Sequence, residues 1–266
     1  MGTNLFDLRG KTAVIIGGAR NLGFDMAEAL AEAGSDVILT SRNKEHAETA
    51  AEKLARLSGQ DILGEALDAG DYPSVKALAD RAVNWKGQVD ILINNTGGTP
   101  PGSPGPLFDR TPEDIEKLIS INLTGPLFCC KAFGKQMADQ GSGKIINISS
   151  IAALVGRDRR MYQRNEMSGQ PVDYAAAKAG VLGMTRDLAA LLSPMGVCVN
   201  AIAPGGFGPR EMSEGFVNDY ASRTPLGHMG RDGLDLKGAA LFLASPASDY
   251  VTGQTLVVDG GFSVWQ

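Results

Sequence analysis

A tyrosine and a lysine four positions apart, Tyr174 and Lys178, form the segment of the sequence best suited to chemistry. In a helix, that spacing places the phenol and the ammonium on one face. A phenol has an ordinary pKa of about 10, and a neighbouring cation lowers it toward the range useful for proton transfer. The pair therefore predicts acid–base chemistry, although two such residues are more often a simple surface pair. Tyr162 has no such cation, because Glu166 stands four positions after it.

The elements that would position this pair are short apolar strands that alternate with helices. The apolar runs predict strands near residues 11–17, 36–40, 62–67, 89–94, 144–148, 197–202 and 254–258. Helical periodicity predicts helices near residues 22–33, 44–58, 72–84, 111–139, 174–192 and 236–243. This alternation favours an α/β fold: a doubly wound parallel sheet of about seven strands with helices on both faces, in a three-layer sandwich.

Polar and glycine-rich segments follow these strands directly, at the edge where parallel strands meet a ligand. They are Gly17–Gly23, Ser41–Arg42, Asp68, Asn94–Gly98, Ser149–Ser150 and Pro204–Gly205. After the first strand, glycines permit a tight turn, and the backbone N–H groups of the next helix can face a pyrophosphate. The sequence therefore predicts a nucleotide site at this edge of the sheet.

Composition and charge exclude several other classes. The formal charge of −5, with no basic run, argues against a nucleic-acid surface. The three cysteines, Cys129, Cys130 and Cys198, are interpreted as buried small residues of a reducing compartment rather than a disulfide or zinc site. His46 and His228 have no partners at metal-ligand spacing, and no metal is expected. Nowhere do 18 apolar residues follow one another, so a cytoplasmic protein with no membrane span is expected.

Four motifs together resemble the short-chain dehydrogenase/reductase family. They are the glycine turn, Asn94-Asn95-Thr96-Gly97, the serine with Tyr-x-x-x-Lys, and the closing Val258-Asp259-Gly260-Gly261. The likeness runs over essentially the whole chain and implies a single NAD(P)-binding domain over residues 1–266, with substrate lids near 156–172 and 206–232. It departs from the family pattern at Ile16, Asn21 and Thr96, which stand where the family usually has threonine, glycine and alanine. The segment Pro204-Gly205-Gly206-Phe207 also lacks the threonine that usually follows it.

The resemblance implies an oxidoreductase that moves hydride between nicotinamide and a ketone or secondary alcohol. It assigns proton exchange to Tyr174, lowering of the phenol pKa and ribose binding to Lys178, and binding of the substrate oxygen to Ser150, with Ser149 as the alternative. Asn122 would anchor a water that relays protons. The implied cofactor contacts are Gly17, Ala19, Arg20, Asn21, Leu22, Ser41, Arg42, Asp68, Ala69, Asn95, Thr96, Gly97, Tyr174, Lys178, Pro204, Gly205 and Phe207.

The end of the second strand favours NADP(H) over NAD(H). An acidic residue there would bind the ribose hydroxyls, whereas Ser41-Arg42 leaves room for a 2′-phosphate and supplies a bidentate donor. Arg20 could reach the same phosphate, and Asp68 would meet the adenine edge by family resemblance. The alternative is that both arginines are solvated.

The substrate is less closely defined. Arg157, Arg159, Arg160 and Arg164 lie between the serine and the tyrosine and favour an anionic substrate, unless they form a solvated loop. A sugar acid of the gluconate kind is the first expectation, a 3-oxoacyl-[acyl-carrier-protein] reductase the second, and a dinucleotide sensor without turnover a remote third. The second lid, from Phe207 to about Arg223, is expected to order only with ligand. The closing segment Gly253–Gly261 and the two long helices resemble the surfaces on which family members associate, which implies a homo-oligomer, either a dimer or a tetramer.

Overall fold

A seven-stranded parallel sheet forms the centre of the computed structural model, which describes residues 4–99, 105–208 and 210–265. In chain order the strands and helices are β1 Thr12–Ile16, α1 Asn21–Glu32, β2 Asp36–Ser41, α2 Lys44–Ser58, β3 Ile62–Ala66, α3 Tyr72–Lys86, β4 Ile91–Asn94, α4 Pro112–Ile119, α5 Gly125–Gln140, β5 Gly143–Ile148, α6 Arg159–Arg164, α7 Val172–Leu192, β6 Val197–Pro204, β7 Phe207–Gly208, α8 Glu214–Ser222, β8 Gly230–Arg231, α9 Lys237–Ala244 and β9 Thr255–Val258. The strand order is β3-β2-β1-β4-β5-β6-β9. The predicted α/β fold, a doubly wound parallel sheet of the Rossmann type, is therefore confirmed.

Two apolar cores lie on opposite faces of the sheet. In β1, Ala13 and Ile15 belong to one core and Val14 and Ile16 to the other, as expected for a strand covered on both faces. The first core includes residues of α1, α2 and α9, and the second includes residues of α3, α5 and α7. These layers give the three-layer sandwich.

The strand order reverses between β1 and β4, the first and fourth strands along the chain. Strands β1, β2 and β3 run outward on one side of this point, and β4, β5 and β6 run outward on the other. A crevice forms at the carboxyl ends of strands where such a reversal occurs, and ligands bind there in open α/β sheets. The fold thus places the glycine turn after β1 and the Asn95–Gly98 turn after β4 on either side of one crevice.

The single helix predicted over 111–139 is wrong in detail. The structure has α4, one π-helical turn over Ser120–Thr124, and then α5. Pro126 has no N–H to donate to the Asn122 carbonyl, and the Asn122 amide donates to the Leu118 carbonyl at 3.0 Å. Both features favour a wider turn, and π turns are frequent at functional sites.

The two predicted lids contain more regular structure than expected. The first contains α6, and the second contains α8 together with the short parallel pair of β7 and β8. Met161, Phe216, Tyr220, Met229 and Phe262 form an apolar cluster between them. Buried apolar contacts therefore pack α8 against α6. The expectation that the second lid orders only with ligand stays a prediction.

The cysteines were expected to be small buried residues. Cys129 and Cys130 are buried as predicted, but Cys198 is only partly buried; all three are free thiols. Among residues 4–99, 105–208 and 210–265, no helix has the length and hydropathy needed to cross a membrane. The same residues contain no cluster of histidine, cysteine or carboxylate side chains that could hold a metal.

Candidate active site

Tyr174 and Lys178 lie on one buried face of α7, near its N-terminus. Tyr174 is the third residue of the helix and is 8% exposed, and Lys178 is 3% exposed. The Lys178 ammonium lies 5.8 Å from the centroid of the Tyr174 ring. The spacing in the sequence therefore brings the two groups together at the carboxyl edge of the sheet.

The Lys178 ammonium connects the ends of two central strands. It donates hydrogen bonds to the Ile148 carbonyl at 2.9 Å and to the Thr96 carbonyl at 3.3 Å. Burial lowers the pKa of Lys178 to about 8. An ammonium has three donors, so this geometry leaves one for a ligand in the crevice.

The two neighbouring serines after β5 have different partners. Ser149 is buried and donates to the Lys178 carbonyl at 2.8 Å, which ties the strand end to α7. Ser150 is half-buried, and its oxygen accepts from the Ala152 backbone N–H at 3.1 Å. The Ser150 side chain also hydrogen-bonds the Tyr174 phenol. Only the second serine therefore faces the tyrosine hydroxyl.

The pKa of Tyr174 departs from the expectation drawn from the sequence. Burial raises it above the ordinary value, and this effect exceeds the opposing effects of the Ser150 hydrogen bond, the Arg157 charge and the Gln170 hydrogen bond. Lys178 was expected to lower the phenol pKa, but desolvation is the dominant effect. The phenol is consequently in its protonated form at neutral pH, as a proton donor must be.

Asn122, in the π turn, holds the loop after β4 in place. Its amide nitrogen donates to the Gly98 carbonyl at 3.0 Å, and its amide oxygen accepts from the Gly98 backbone N–H at 2.9 Å. The side chain is fully buried. A Cβ on Gly97 would lie 2.4 Å from Asn122 Oδ1 and 3.0 Å from Lys178 Nζ. Glycine at this position therefore lets the backbone pass directly over both side chains.

The glycine turn has no room for side chains. A Cβ on Gly23 would lie 2.1 Å from the Gly17 carbonyl oxygen, and Gly17 itself has a φ of 70°. Asn21 adopts a φ of 49°, so asparagine does tolerate the left-handed conformation there. No side chain caps the N-terminus of α1, which leaves its first N–H groups free for an anionic ligand. Ala19 and Leu22 pack partly against the core beneath.

Two arginines lie at the outer side of this turn. Arg20 and Arg42 are exposed, and neither forms an ion pair within the part of the chain that the structure describes. Ser41 is half-buried at the end of β2, and its oxygen accepts from the Asn43 backbone N–H at 3.3 Å. No carboxylate ends β2. This corner therefore presents guanidinium groups, which can bind a phosphate, and no carboxylate for ribose hydroxyls.

The remaining predicted cofactor contacts lie along the same edge. Asp68 is exposed after β3 and accepts from the Gly70 N–H at 2.9 Å, with Ala69 between them. The Asn95 amide donates to the Gly17 carbonyl at 3.0 Å and so braces the glycine turn. The Thr96 hydroxyl is buried without a hydrogen-bond partner among the described residues.

Two hydrogen bonds fix the backbone of the segment that follows β6. The Gly205 N–H donates to the Val258 carbonyl at 2.9 Å, and the Tyr220 hydroxyl accepts from the Gly206 N–H at 2.5 Å. Pro204 ends the strand, and the Phe207 side chain is buried in the first core. The Phe207 side chain therefore packs in the interior, and only its backbone remains for a ligand.

Sequence reasoning missed Gln170 and gave Tyr220 no role. Gln170 hydrogen-bonds the Tyr174 phenol although it precedes α7. The interior chain of amides, in which Asn94 donates to Asn147 at 2.8 Å and Asn147 donates to Thr185 at 3.0 Å, was also missed. Asparagines inside apolar strands are the signal that would have found the latter, since buried amides need partners.

Comparisons with known proteins find relatives along nearly the whole chain. A family model described as enoyl-(acyl carrier protein) reductase matches residues 17–263. The 3-oxoacyl-[acyl-carrier-protein] reductase of Aquifex aeolicus is 34% identical over 259 residues, covering 96% of this chain and 98% of that protein. The gluconate 5-dehydrogenase of Burkholderia cenocepacia, solved with NADP and tartrate, is similar with a TM-score of 0.88 and 34% identity, covering 99% of each chain. A short-chain type dehydrogenase/reductase of Mycobacterium marinum is similar with a TM-score of 0.87 and 30% identity over 98% of each chain.

Proposed function

The chain belongs to the short-chain dehydrogenase/reductase family and is an NAD(P)-dependent oxidoreductase; from that premise we propose that it interconverts a polar ketone and a secondary alcohol and prefers NADP(H). The observation that carries the reaction type is the convergence of Ser150 and Gln170 on the phenol of Tyr174, with the Lys178 ammonium 5.8 Å from the same ring.

The residues at the crevice fit a dinucleotide. The glycine turn excludes side chains where a pyrophosphate would approach, and the N-terminus of α1 is uncapped. The exposed guanidinium groups of Arg20 and Arg42 would hold a 2′-phosphate, and Lys178 retains a donor for the nicotinamide ribose. When bound, NADPH would supply hydride to the carbonyl carbon.

The protein's own residues would handle the proton. Ser150 would donate a hydrogen bond to the substrate oxygen, and Tyr174 would transfer its phenolic proton to that oxygen as negative charge develops there. The Lys178 ammonium would stabilise the phenolate left behind. Asn122 would keep the Gly98 backbone, and with it the wall of the site, in position. In the reverse direction Tyr174 would accept the proton from the alcohol.

A sugar acid is the substrate that we propose first. The B. cenocepacia gluconate 5-dehydrogenase supports it, because that protein was solved with NADP and the hydroxy acid tartrate. A 3-oxoacyl thioester is the second candidate, supported by the similarity to the A. aeolicus reductase. Both candidates require the same proton transfer. We also propose that the protein is cytoplasmic, since its free thiols suit a reducing compartment. The family resemblance further supports a homo-oligomer.

The reaction type is tested by following NADPH absorbance with 5-ketogluconate, acetoacetyl thioester and neutral ketones. We expect Tyr174→Phe to lower kcat about 10²- to 10⁴-fold with an unchanged Kd for NADPH, because the phenol supplies the proton and not the binding. Tyr250→Phe is the control, since Tyr250 is fully exposed and follows Asp249, which pairs with Lys144 near the start of β5, at the opposite edge of the sheet. Full turnover by Tyr174→Phe would refute the assignment.

Cofactor preference is tested by the ratio of kcat/KM for NADPH to that for NADH. We expect Arg42→Gln to lower this ratio about tenfold, since a charge-assisted bond to phosphate is lost and NADH has no phosphate at that position. Arg56→Gln, at the far end of α2, is the control. An unchanged ratio in Arg42→Gln would contradict the assignment of the phosphate to this arginine.

A further inference from the structure

Arg157, in the turn before α6, stands apart from the other arginines of its segment. Its Nη2 donates to the Pro171 carbonyl at 3.1 Å, three residues before Tyr174, and its side chain is half-buried. The guanidinium also hydrogen-bonds the Tyr162 hydroxyl. Arg157 is therefore held against the start of α7, the helix that carries Tyr174 and Lys178.

The carboxylates nearby are bound to other arginines. Asp158 pairs with Arg160 at 2.8 Å and with Arg223 at 2.7 Å. Arg164 pairs with Asp219 at 3.1 Å. Arg159 donates to the Gln170 carbonyl at 2.8 Å. Within the described part of the chain, Arg157 is thus a partly desolvated cation with no carboxylate partner.

A buried charge without a counterion is unfavourable, and burial lowers the pKa of the Arg157 guanidinium. The same charge acts on the phenol of Tyr174. Tyr162, which hydrogen-bonds Arg157, also lines a cleft of about 360 Å³ together with Leu107, Arg159, Met167 and Val172. The charge of Arg157 therefore acts on a residue that lines this cleft and on the reacting hydroxyl. A guanidinium binds carboxylate or phosphate through two parallel hydrogen bonds.

We propose that Arg157 binds the acid group of the substrate, and that the substrate is a small oxo acid whose carboxylate lies a few bonds from the carbonyl that is reduced. This inference rests on the proposed function and narrows its substrate. In an acyl carrier thioester, the phosphate is separated from the reacting carbonyl by the whole pantetheine arm. The Arg157 guanidinium, held against the start of α7, can reach a substrate carboxylate that lies near the reacting carbonyl. It cannot reach the distant phosphate of a pantetheine arm.

The test compares each acid with its neutral counterpart. Acetoacetate is compared with methyl acetoacetate, and acetoacetyl pantetheine is the thioester arm. We expect the wild type to have a lower KM for the acid, and Arg157→Gln to raise that KM about tenfold or more with the ester and the thioester unchanged. Arg157→Lys keeps the charge without the planar fork and restores part of the affinity. Arg160→Gln, an exposed arginine of the same segment, is the matched control and leaves the ratio unchanged.

A binding measurement on the wild type tests the role of Arg157 without relying on turnover. It also avoids any folding defect that a variant has. Quenching of NADPH fluorescence in the wild-type complex reports the affinities of butyrate and butyramide, which are isosteric and not reducible. We expect butyrate to bind at least about tenfold more tightly than butyramide. Equal affinities, or an acid-to-ester ratio that Arg157→Gln does not change, would overturn the role of Arg157. Failure to reduce any carbonyl compound would instead refute the proposed function.

Discussion

At the residue scale, the hydroxyl groups of the two adjacent serines after β5 contact different partners. Ser149 bonds the backbone of α7, whereas Ser150 bonds the phenol of Tyr174. The sequence places two serines here, and a shift of one position reverses the direction of the side chain in extended backbone. The family pattern favoured the second serine; the contacts that separate their roles exist only once β5 is placed against α7.

Single substitutions should therefore distinguish the catalytic role of one serine from the structural role of the other. We expect Ser150→Ala to lower kcat about 10²-fold, because the substrate oxygen loses a donor as charge develops on it. Ser149→Ala should instead lower the free energy of unfolding by about 1 kcal/mol through the lost buried hydrogen bond, with a much smaller effect on kcat. Steady-state kinetics and urea denaturation measure the two effects. A larger loss of kcat in Ser149→Ala would show that the first serine is the catalytic one.

The buried ammonium of Lys178 gives a pH dependence of a definite sign. Burial lowers its pKa from 10.5 to about 8, so between these values the unfolded chain binds a proton that the folded chain does not. The stability contributed by this group therefore rises with pH across that window, and its destabilising effect is complete below about pH 8.

We compare Lys178→Met with the ligand-free wild type in urea. The stability of the variant relative to wild type should fall by up to roughly 3 kcal/mol between about pH 7 and about pH 10, the amount that the difference in pKa allows. Other titrating groups cancel in this comparison because both proteins contain them. A difference that stays constant with pH would mean that Lys178 keeps its ordinary pKa in the folded chain.

At the scale of elements, the alternation of strands and helices was predictable because each has its own apolar period. The break between α4 and α5 was not, since it depends on Pro126 and on the hydrogen bond from Asn122 to Leu118. The lid helices were missed for another reason. α6 has only 6 residues and α8 only 9, and each is stabilised by the other across a shared apolar cluster rather than by its own sequence pattern.

Polar contacts add to that cluster and should limit lid opening. Asp219 accepts from Arg164 at 3.1 Å and from Asn165 at 3.0 Å, which links α8 to α6. We expect Asp219→Ala to increase the rate of tryptic cleavage at Arg210 and Arg223 at least about threefold, because opening of α8 exposes these bonds. Asp139→Ala is the control, since Asp139 forms an exposed pair with Lys135 on α5. Equal cleavage of the two variants would show that the apolar cluster alone holds the lids.

At the scale of the whole molecule, the parallel sheet covered on both faces followed from the sequence, because alternating strands and helices permit few topologies. The strand order, and with it the crevice between β1 and β4, came only from the structure. The sequence also placed the polar strand ends at one edge of the sheet. The sequence could not give the direction in which the pKa of Tyr174 is shifted. That direction depends on how far burial outweighs the effects of Ser150, Arg157 and Gln170 on the phenol. Such a balance is set by tertiary packing and not by spacing.

The outer faces of α5 and α7 are the surfaces where we expect subunits to contact each other. Leu127 on α5 is 43% exposed and Leu191 on α7 is 61% exposed, on the two long helices where the family resemblance implies subunit contacts. We expect the wild type to sediment as a dimer or tetramer and Leu127→Glu/Leu191→Glu to sediment as a smaller species, because a buried interface does not accept unpaired carboxylates. Leu57→Glu, on α2 and 57% exposed, is the matched control and should keep the wild-type state. A monomeric wild type, or a double variant that sediments like it, would place assembly on another surface, of which β9 with its exposed Val257 is the next to test.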